Sequence, residues 1–210
     1  MEIKYFDELD STQKFLLELI KKKKAKAPLA VICNHQTKGV GSRGNSWSGK
    51  RGNFFASIAL EKESLPLDLE LESASIYFGW LMIKVLRSFG AKVWLKWPND
   101  IFLGGEKVGG VITNYFQKTF VVGIGVNLKD TDKFKGLNLN LQPKEILKEY
   151  IKILEKSISW EEVFLEFSKE FQKSKKFLIH SNQAKISLKD AKLFKDGSLF
   201  VDGKRIFSLR

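Results

Sequence analysis

Between Lys92 and Leu128 the chain reads as short apolar runs, KVWLKW, DIFL, KVGGVITNYF and FVVGIGVNL, separated by turn chemistry that includes Pro98-Asn99 and Gly104-Gly105. Runs this short, rich in β-branched and aromatic residues and bounded by turn formers, predict an antiparallel meander. The rest of the fold has to be built around that sheet. Lys96, Asn99, Asp100 and Lys107 interrupt the apolar pattern within a few residues of one another. They demand an explanation other than core packing.

The flanking segments supply helices and further strands. Asp10 or Ser11 can cap a helix with the stripe Phe15, Leu16, Leu19 and Ile20, ending in Lys21 to Lys24, where cations suit the negative end of the helix dipole. A strand follows near Leu29 to Cys33, then a glycine-rich stretch from Thr37 to Asn53 and a second strand, FFASIAL. Residues 69–89 read as one long helix closed by Gly90. Helical spacing returns over 143–178, where Trp160, Val163, Phe164, Phe167 and Phe171 form one apolar face that reads as core. From Lys185 two or three short strands surround the hairpin signals Asp196-Gly197 and Asp202-Gly203.

These elements predict an α+β fold: a mixed, mainly antiparallel central sheet with flanking helices and a small β module at the C-terminus. The expected division is 1–183 and 184–210. So short a tail cannot make its own core and is expected to dock on the main domain.

Composition narrows the functional classes. A chain of 210 residues with 43% hydrophobic residues can bury a core of catalytic size. Its net charge of +12 favours anionic partners without choosing among them. The single cysteine, Cys33, lies in the apolar run PLAVIC and reads as a buried thiol in a reducing compartment. No run approaches the ~18 to 20 apolar residues of a membrane span, and no basic-then-apolar leader opens the chain. A cytoplasmic protein is expected.

Several features point to chemistry. In the stretch His35 to Trp47, Gly39, Gly41 and Gly44 let backbone N–H groups approach an anion, and Lys38 and Arg43 add charge. No Walker motif or dinucleotide fingerprint accompanies them. Pro98 forces the chain out of the ladder, so Asn99 and Asp100 turn out at a sheet end. Lys107 returns toward them across the Gly104-Gly105 hairpin, and Gly109-Gly110 leave room for a ligand against the backbone. GIGVN, Gly123 to Asn127, again ends a strand in glycines and an amide. Polar groups thus converge on one end of the sheet.

The motifs LDSTQ (Leu9 to Gln13), QTKGVGSRGNSW (Gln36 to Trp47), KWPND (Lys96 to Asp100), KVGGVI (Lys107 to Ile112) and GIGVN occur in an order and spacing that resemble the biotin protein ligases. The resemblance implies a class II synthetase-like catalytic domain with a shortened SH3-like C-terminal module, and no N-terminal DNA-binding module. It implies a reaction in which biotin and ATP give biotinyl-5′-AMP, whose acyl group passes to a lysine of a biotin carboxyl carrier protein of acetyl-CoA carboxylase.

By similarity, Lys107, Asp100 and Arg43 are the catalytic residues. Ser11, Thr12, Gln13, Gln36, Gly39, Gly41, Lys107, Gly109 and Gly110 would hold biotin. Gly39, Gly41, Ser42, Arg43, Gly44, Trp47, Lys96, Asn99, Asp100 and Asn127 would hold ATP or the adenylate, with Asp100 on the side of a Mg²⁺ ion. Trp47 and Trp97 are open between framing the pocket and packing. The family loop carries arginine where this chain has Val40, Ser42 and Asn45, which puts retention of the adenylate in question. The partners implied are the carrier protein, with neither DNA nor membrane, and a homodimer is left open. A lipoate or octanoyl ligase or transferase of similar fold, and a non-catalytic anion or nucleic-acid binder, are the alternatives.

Overall fold

The computed structural model describes residues 1–131, 134–181 and 184–207, without the side chains of Arg43, His180, Ser181 and Ala184. The chain forms β1 (Glu2–Leu9), α1 (Thr12–Lys21), β2 (Leu29–Gln36), a small hairpin of β3 (Gly39–Val40) with β4 (Ser46–Trp47), β5 (Phe54–Glu61) and α2 (Ala74–Ser88). The meander follows as β6 (Val93–Lys96), β7 (Asp100–Leu103), β8 (Glu106–Phe116) and β9 (Thr119–Val126). Then come α3 (Pro143–Glu155), α4 (Trp160–Glu170), β10 (Leu178–Ser181), β11 (Ala184–Ser187), β12 (Lys192–Leu193), β13 (Leu199–Val201) and β14 (Lys204–Ile206).

Seven strands make the central sheet in the order β1-β2-β5-β9-β8-β7-β6. The predicted meander is its β6 to β9 half, antiparallel throughout. Only β1 and β2 run parallel, because α1 crosses over between them. β1 escapes a sequence reading: it is an edge strand whose side chains are mostly exposed or half-buried, so it shows no apolar run.

Strand alternation sends successive side chains to opposite layers. Leu29, Val31, Ala59 and Val121 pack under Leu16 and Ile20 of α1. Ala30, Ile32, Ala56, Ile58, Val122 and Ile124 face the core built with α2, α3 and α4. Ser11 caps α1, accepting from the Lys14 backbone N–H at 3.4 Å.

Two helix boundaries differ from the sequence reading. α2 begins at Ala74 rather than Leu69, because residues 71–73 are held as a turn, with Ser73 N–H donating to Glu70 C=O and Ala74 N–H to Leu71 C=O, each at 3.2 Å. Asp68 ahead of them caps α4 instead, accepting from Trp160 N–H at 3.1 Å and Glu161 N–H at 3.0 Å. The 143–178 segment splits into α3, α4 and a 3₁₀ turn, Phe171–Lys176, with Ser157 at φ 49° breaking the first helix from the second. Trp160, Val163, Phe167 and Phe171 are buried and Phe164 packs against them, as the stripe predicts.

The C-terminal strands form as expected at their turn signals. Asp202 and Gly203, both at positive φ, join β13 to β14 as a two-residue hairpin requires. β10 pairs antiparallel with β11, and residue 183, the expected end of the main domain, lies outside the described residues. The Asp196-Gly197 turn fastens the tail to the main body through three bonds: Trp97 Nε1 donates to Gly197 C=O at 2.8 Å, Trp160 Nε1 to Lys195 C=O at 2.8 Å, and Ser73 Oγ to Asp196 C=O at 2.9 Å. No helix among the described residues is long and apolar enough to cross a membrane.

Candidate active site

A cleft opens on the α1 face of the sheet. It is lined by Ser11, Thr12, Gln13, Gln36, Val40, Gly41, Ser42, Trp47, Asn99, Lys107, Gly110, Val111, Ile112, Gly123, Ile124 and Gly125. The first turn of α1 builds one end. Thr12 donates to Gln36 Oε1 from its backbone N–H at 2.8 Å and from its hydroxyl at 3.1 Å, and Ser57 Oγ donates in turn to Thr12 Oγ1 at 2.9 Å. Gln13 donates through Nε2 to Val121 C=O at 2.8 Å and to Asn114 Oδ1 at 3.0 Å. The floor has to be glycine here. A Cβ on Gly123 would lie 2.6 Å from Gln13 Oε1, and one on Gly125 would lie 2.7 Å from the Trp47 indole.

A register shift builds the other end. Asp100 pairs with Gly110 and Phe102 with Lys107, so the two β8 residues share one sheet face although they are three apart in sequence. A regular strand would put them on opposite faces; the bulge between β7 and β8 re-aims Lys107. Its Nζ lies 2.5 Å from Asp100 Oδ1 and 5.6 Å from the centre of the Trp47 ring. The second carboxylate oxygen, Oδ2, is 3.4 Å from the Nζ of Lys96. Lys96 is buried beneath, its ammonium over the rings of Phe102 and Phe177. Asn99 is clamped to β8, donating through Nδ2 to Val111 C=O at 2.6 Å while its own C=O accepts from Val111 N–H at 2.9 Å.

Ser11, Thr12, Gln13, Gln36, Gly41, Ser42, Trp47, Asn99, Lys107 and Gly110 therefore meet in one cleft, with Asp100 at its margin. Other residues singled out from the sequence lie elsewhere. Gly39 packs against Gln36 and the Trp47 backbone, Gly109 against Gly125 C=O, and Gly44 is exposed at φ +75°. The Gly41 N–H donates to Asn45 C=O at 2.7 Å, and Lys38 pairs with Asp10 at 3.3 Å, so neither points at an empty anion cradle. Asn127 is buried outside the cleft lining, bonded to Asn53 and to Lys135 C=O. Trp97 is fully buried in the core, which decides it for packing. The side chain of Arg43 is outside the described residues.

Residues not singled out one by one from the sequence complete the site. Val111, Ile112 and Ile124 line it, and Ser57, Asn114 and Val121 hold its polar groups from three strands. Gly123 and Gly125 were legible only as the alternating glycines of GIGVN. Cys33 takes no part: burial pushes its thiol up to about 11.

Among the described residues no group of three His, Cys, Asp or Glu side chains could hold a metal ion. Among them Asp100 is the one carboxylate at the margin of the cleft, and its oxygens face two ammonium groups, Oδ1 that of Lys107 and Oδ2 that of Lys96.

Residues 5–129 match the Biotin/lipoate A/B protein ligase family. The chain is 35% identical over 127 residues to the bifunctional ligase/repressor BirA of Escherichia coli, an alignment covering 57% of this chain and 38% of that protein. It is 29% identical over 112 residues to the biotin--[acetyl-CoA-carboxylase] ligase of Mycobacterium tuberculosis, covering 48% of this chain and 39% of that protein. The chain thus spans about two fifths of the length of these curated relatives. The fold matches the crystal structure of biotin acetyl coenzyme A carboxylase synthetase from Helicobacter pylori with bound biotinylated ATP at a TM-score of 0.95 and 38% identity, over 98% of this chain and 99% of that one. Biotin protein ligase from Aquifex aeolicus in complex with biotin and ATP shares the fold at a TM-score of 0.72 and 21% identity, over 100% of this chain and 96% of that one.

Proposed function

Since the chain belongs to the biotin/lipoate A/B protein ligase family, we propose that it is an ATP-dependent biotin protein ligase. A carboxylate is a poor electrophile. In the first step a biotin carboxylate oxygen attacks the α-phosphorus of ATP, the bond to pyrophosphate breaks, and biotinyl-5′-AMP forms. In the second, a lysine amine of an acetyl-CoA carboxylase-type carboxyl carrier protein attacks the acyl carbon, losing a proton, and AMP leaves.

The observation that carries this reading is the polarity of the cleft, with two anchored amides, Gln13 and Gln36, at one end and Lys107 at the other. An ammonium fixed where charge builds on the phosphoryl group stabilises the transition state more than the ground state. Asp100 holds that ammonium in place before the nucleotide arrives. Asp100 would be the residue on the side of a Mg²⁺ ion, which would supply charge neutralisation at the phosphates. Residues 1–183 carry the chemistry and 184–210 form the docked module. The net charge of +12 suits an anionic partner, and an acidic carrier protein in the cytoplasm is the one that this reaction calls for. A homodimer is compatible with the same chemistry.

The test is mass spectrometry of a biotin carboxyl carrier domain incubated with the protein, ATP, Mg²⁺ and biotin. The expected result is a gain of one biotinyl group on one lysine. Transfer of lipoate or octanoate with none of biotin moves the protein to the other branch of its family, and transfer of nothing leaves a non-catalytic anion binder.

A further inference from the structure

The central sheet has one long free edge. β1 is its outermost strand and, among the described residues, pairs with β2 alone. The opposite edge, β6, is four buried residues, whereas β1 runs for eight with its side chains exposed or half-buried. The C=O of Leu9 points to the β2 side, where the Thr37 N–H donates to it at 3.0 Å. Backbone groups alternate in direction along a strand, so those of Lys4, Phe6 and Glu8 point outward. An edge of this length is a template for one more strand, and its side chains decide which strand fits.

The sequence of β1 is complementary to itself in one register. An antiparallel pair related by a two-fold axis normal to the sheet sets one residue opposite its own copy, and all other pairs then join residues that share a face. With Lys4 or Asp7 on the axis, like charges meet. With Tyr5 on the axis, Glu2 meets the copy's Glu8, and Ile3 meets Asp7. Axes nearer either end overlap too few residues. With Phe6 on the axis, Phe6 meets Phe6, Lys4 meets Glu8, Ile3 meets Leu9 and Tyr5 meets Asp7. The last pair gains a cation: the Lys144 ammonium, in the first turn of α3, stands 4.8 Å from the centre of the Tyr5 ring. Asp7 and Glu8 are already bonded within the chain, to Arg51 and His35, and an ionised carboxylate has lone pairs to spare.

We propose that β1 is a self-association surface, on which two copies pair antiparallel about a two-fold axis at Phe6 and join their seven-stranded sheets into one. The proposal is independent of the ligase reading. It needs only an open edge and a strand whose charges and apolar groups find their complements in a second copy.

Sedimentation velocity of the whole protein across a concentration series tests it, and the wild type is expected to pass from monomer to dimer. Lys4→Glu puts like charges opposite each other twice and is expected to weaken self-association about tenfold. The double variant Lys4→Glu/Glu8→Lys restores both pairs across the axis and is expected to return to within about threefold of wild type. Inside one chain the double exchange only adds repulsion, toward Glu2 and Arg51, so a merely structural role makes the double variant the worst of the three. A mixture of Lys4→Cys and Glu8→Cys proteins is expected to form a disulfide-linked dimer on oxidation, and neither protein alone. Two copies of position 4 lie about 13 Å apart along the paired strands, too far for that bond. A wild type that stays monomeric at every concentration, a double variant weaker than both single ones, or a Lys4→Cys protein that links to itself overturns the proposal. A monomeric wild type whose binding to a carboxyl carrier domain is lost in Lys4→Glu also overturns it, and gives the edge to the carrier.

Discussion

The ammonium of Lys107 lies 2.5 Å from Oδ1 of Asp100, and the two meet only because the bulge opposite Ile101 and Phe102 turns Lys107 onto the face that Asp100 shares with Gly110. The charge is half-exposed, so it is not needed for the core. Lys107→Met is expected to fold and to lose about 10²- to 10³-fold in adenylation rate, the usual cost of deleting one electrostatic donor. Biotin-dependent pyrophosphate exchange measures it, and a near wild-type rate would remove Lys107 from the mechanism.

Gly123 is a steric requirement of the amide beside it. Its Cβ position lies 2.6 Å from Gln13 Oε1, and Gln13 cannot yield freely because Nε2 is held by Val121 and Asn114. Gly123→Ala is expected to reduce biotin affinity by about tenfold or more, since the displaced amide can no longer meet the ligand. Gly105→Ala, where nothing lies within 4 Å of the new methyl, serves as the control and should bind biotin normally. Titration calorimetry on both variants decides the point.

One of the three bonds that fasten the C-terminal module comes from Trp97. Trp97→Phe removes the donor to Gly197 C=O and leaves a buried carbonyl unpaired, at a cost of about 1–3 kcal/mol. Urea denaturation of the whole chain should show that loss, together with faster proteolysis beyond residue 183. Unchanged stability would mean that the Trp160 and Ser73 bonds hold the turn without Trp97.

Glu166 ties α4 to α2, accepting from Lys84 Nζ and Trp80 Nε1, each at 2.8 Å. The Lys84 ammonium first, and the indole second, hold its carboxyl below the ordinary 4.5. A depressed folded value means that the contribution is fully present above pH 4.5, where both states are ionised. Below that pH the unfolded chain takes up its proton first, and the contribution is lost as pH falls through the folded value. The stability gap between wild type and Glu166→Gln should therefore be constant at neutral pH and shrink below pH 4.5. A gap that persists unchanged in acid rules out the linkage.

Much of the fold was legible because it is local. The meander follows from short apolar runs and their turns, α1 from its cap and stripe, and the last hairpin from Asp202-Gly203. What escaped was set by distant partners. β1 is a strand because β2 offers it a parallel edge across α1, and α2 starts only at Ala74 where Asp68 is drawn off to the first N–H groups of α4. Neither partner lies within the window that periodicity samples.

The site divides in the same way. Sequence by itself determined which chemistry was available: Ser11, Thr12, Gln13 and Gln36 as small polar groups, Lys107 and Asp100 as charges, and glycines at 123 and 125 that leave room on one strand face. Only the tertiary structure decided which atoms of those residues face the cleft. The backbone N–H of Thr12 and the C=O of Val121 turn the two glutamine amides in opposite senses. One register shift gives Lys107 its partner, and both Asp100 oxygens face lysines. An amide is the same residue in either orientation, and a strand residue faces either layer according to its register. The amide orientations are set by partners outside any local window, Val121 being 108 residues from Gln13 and Thr12 being 24 from Gln36, and no local pattern carries them.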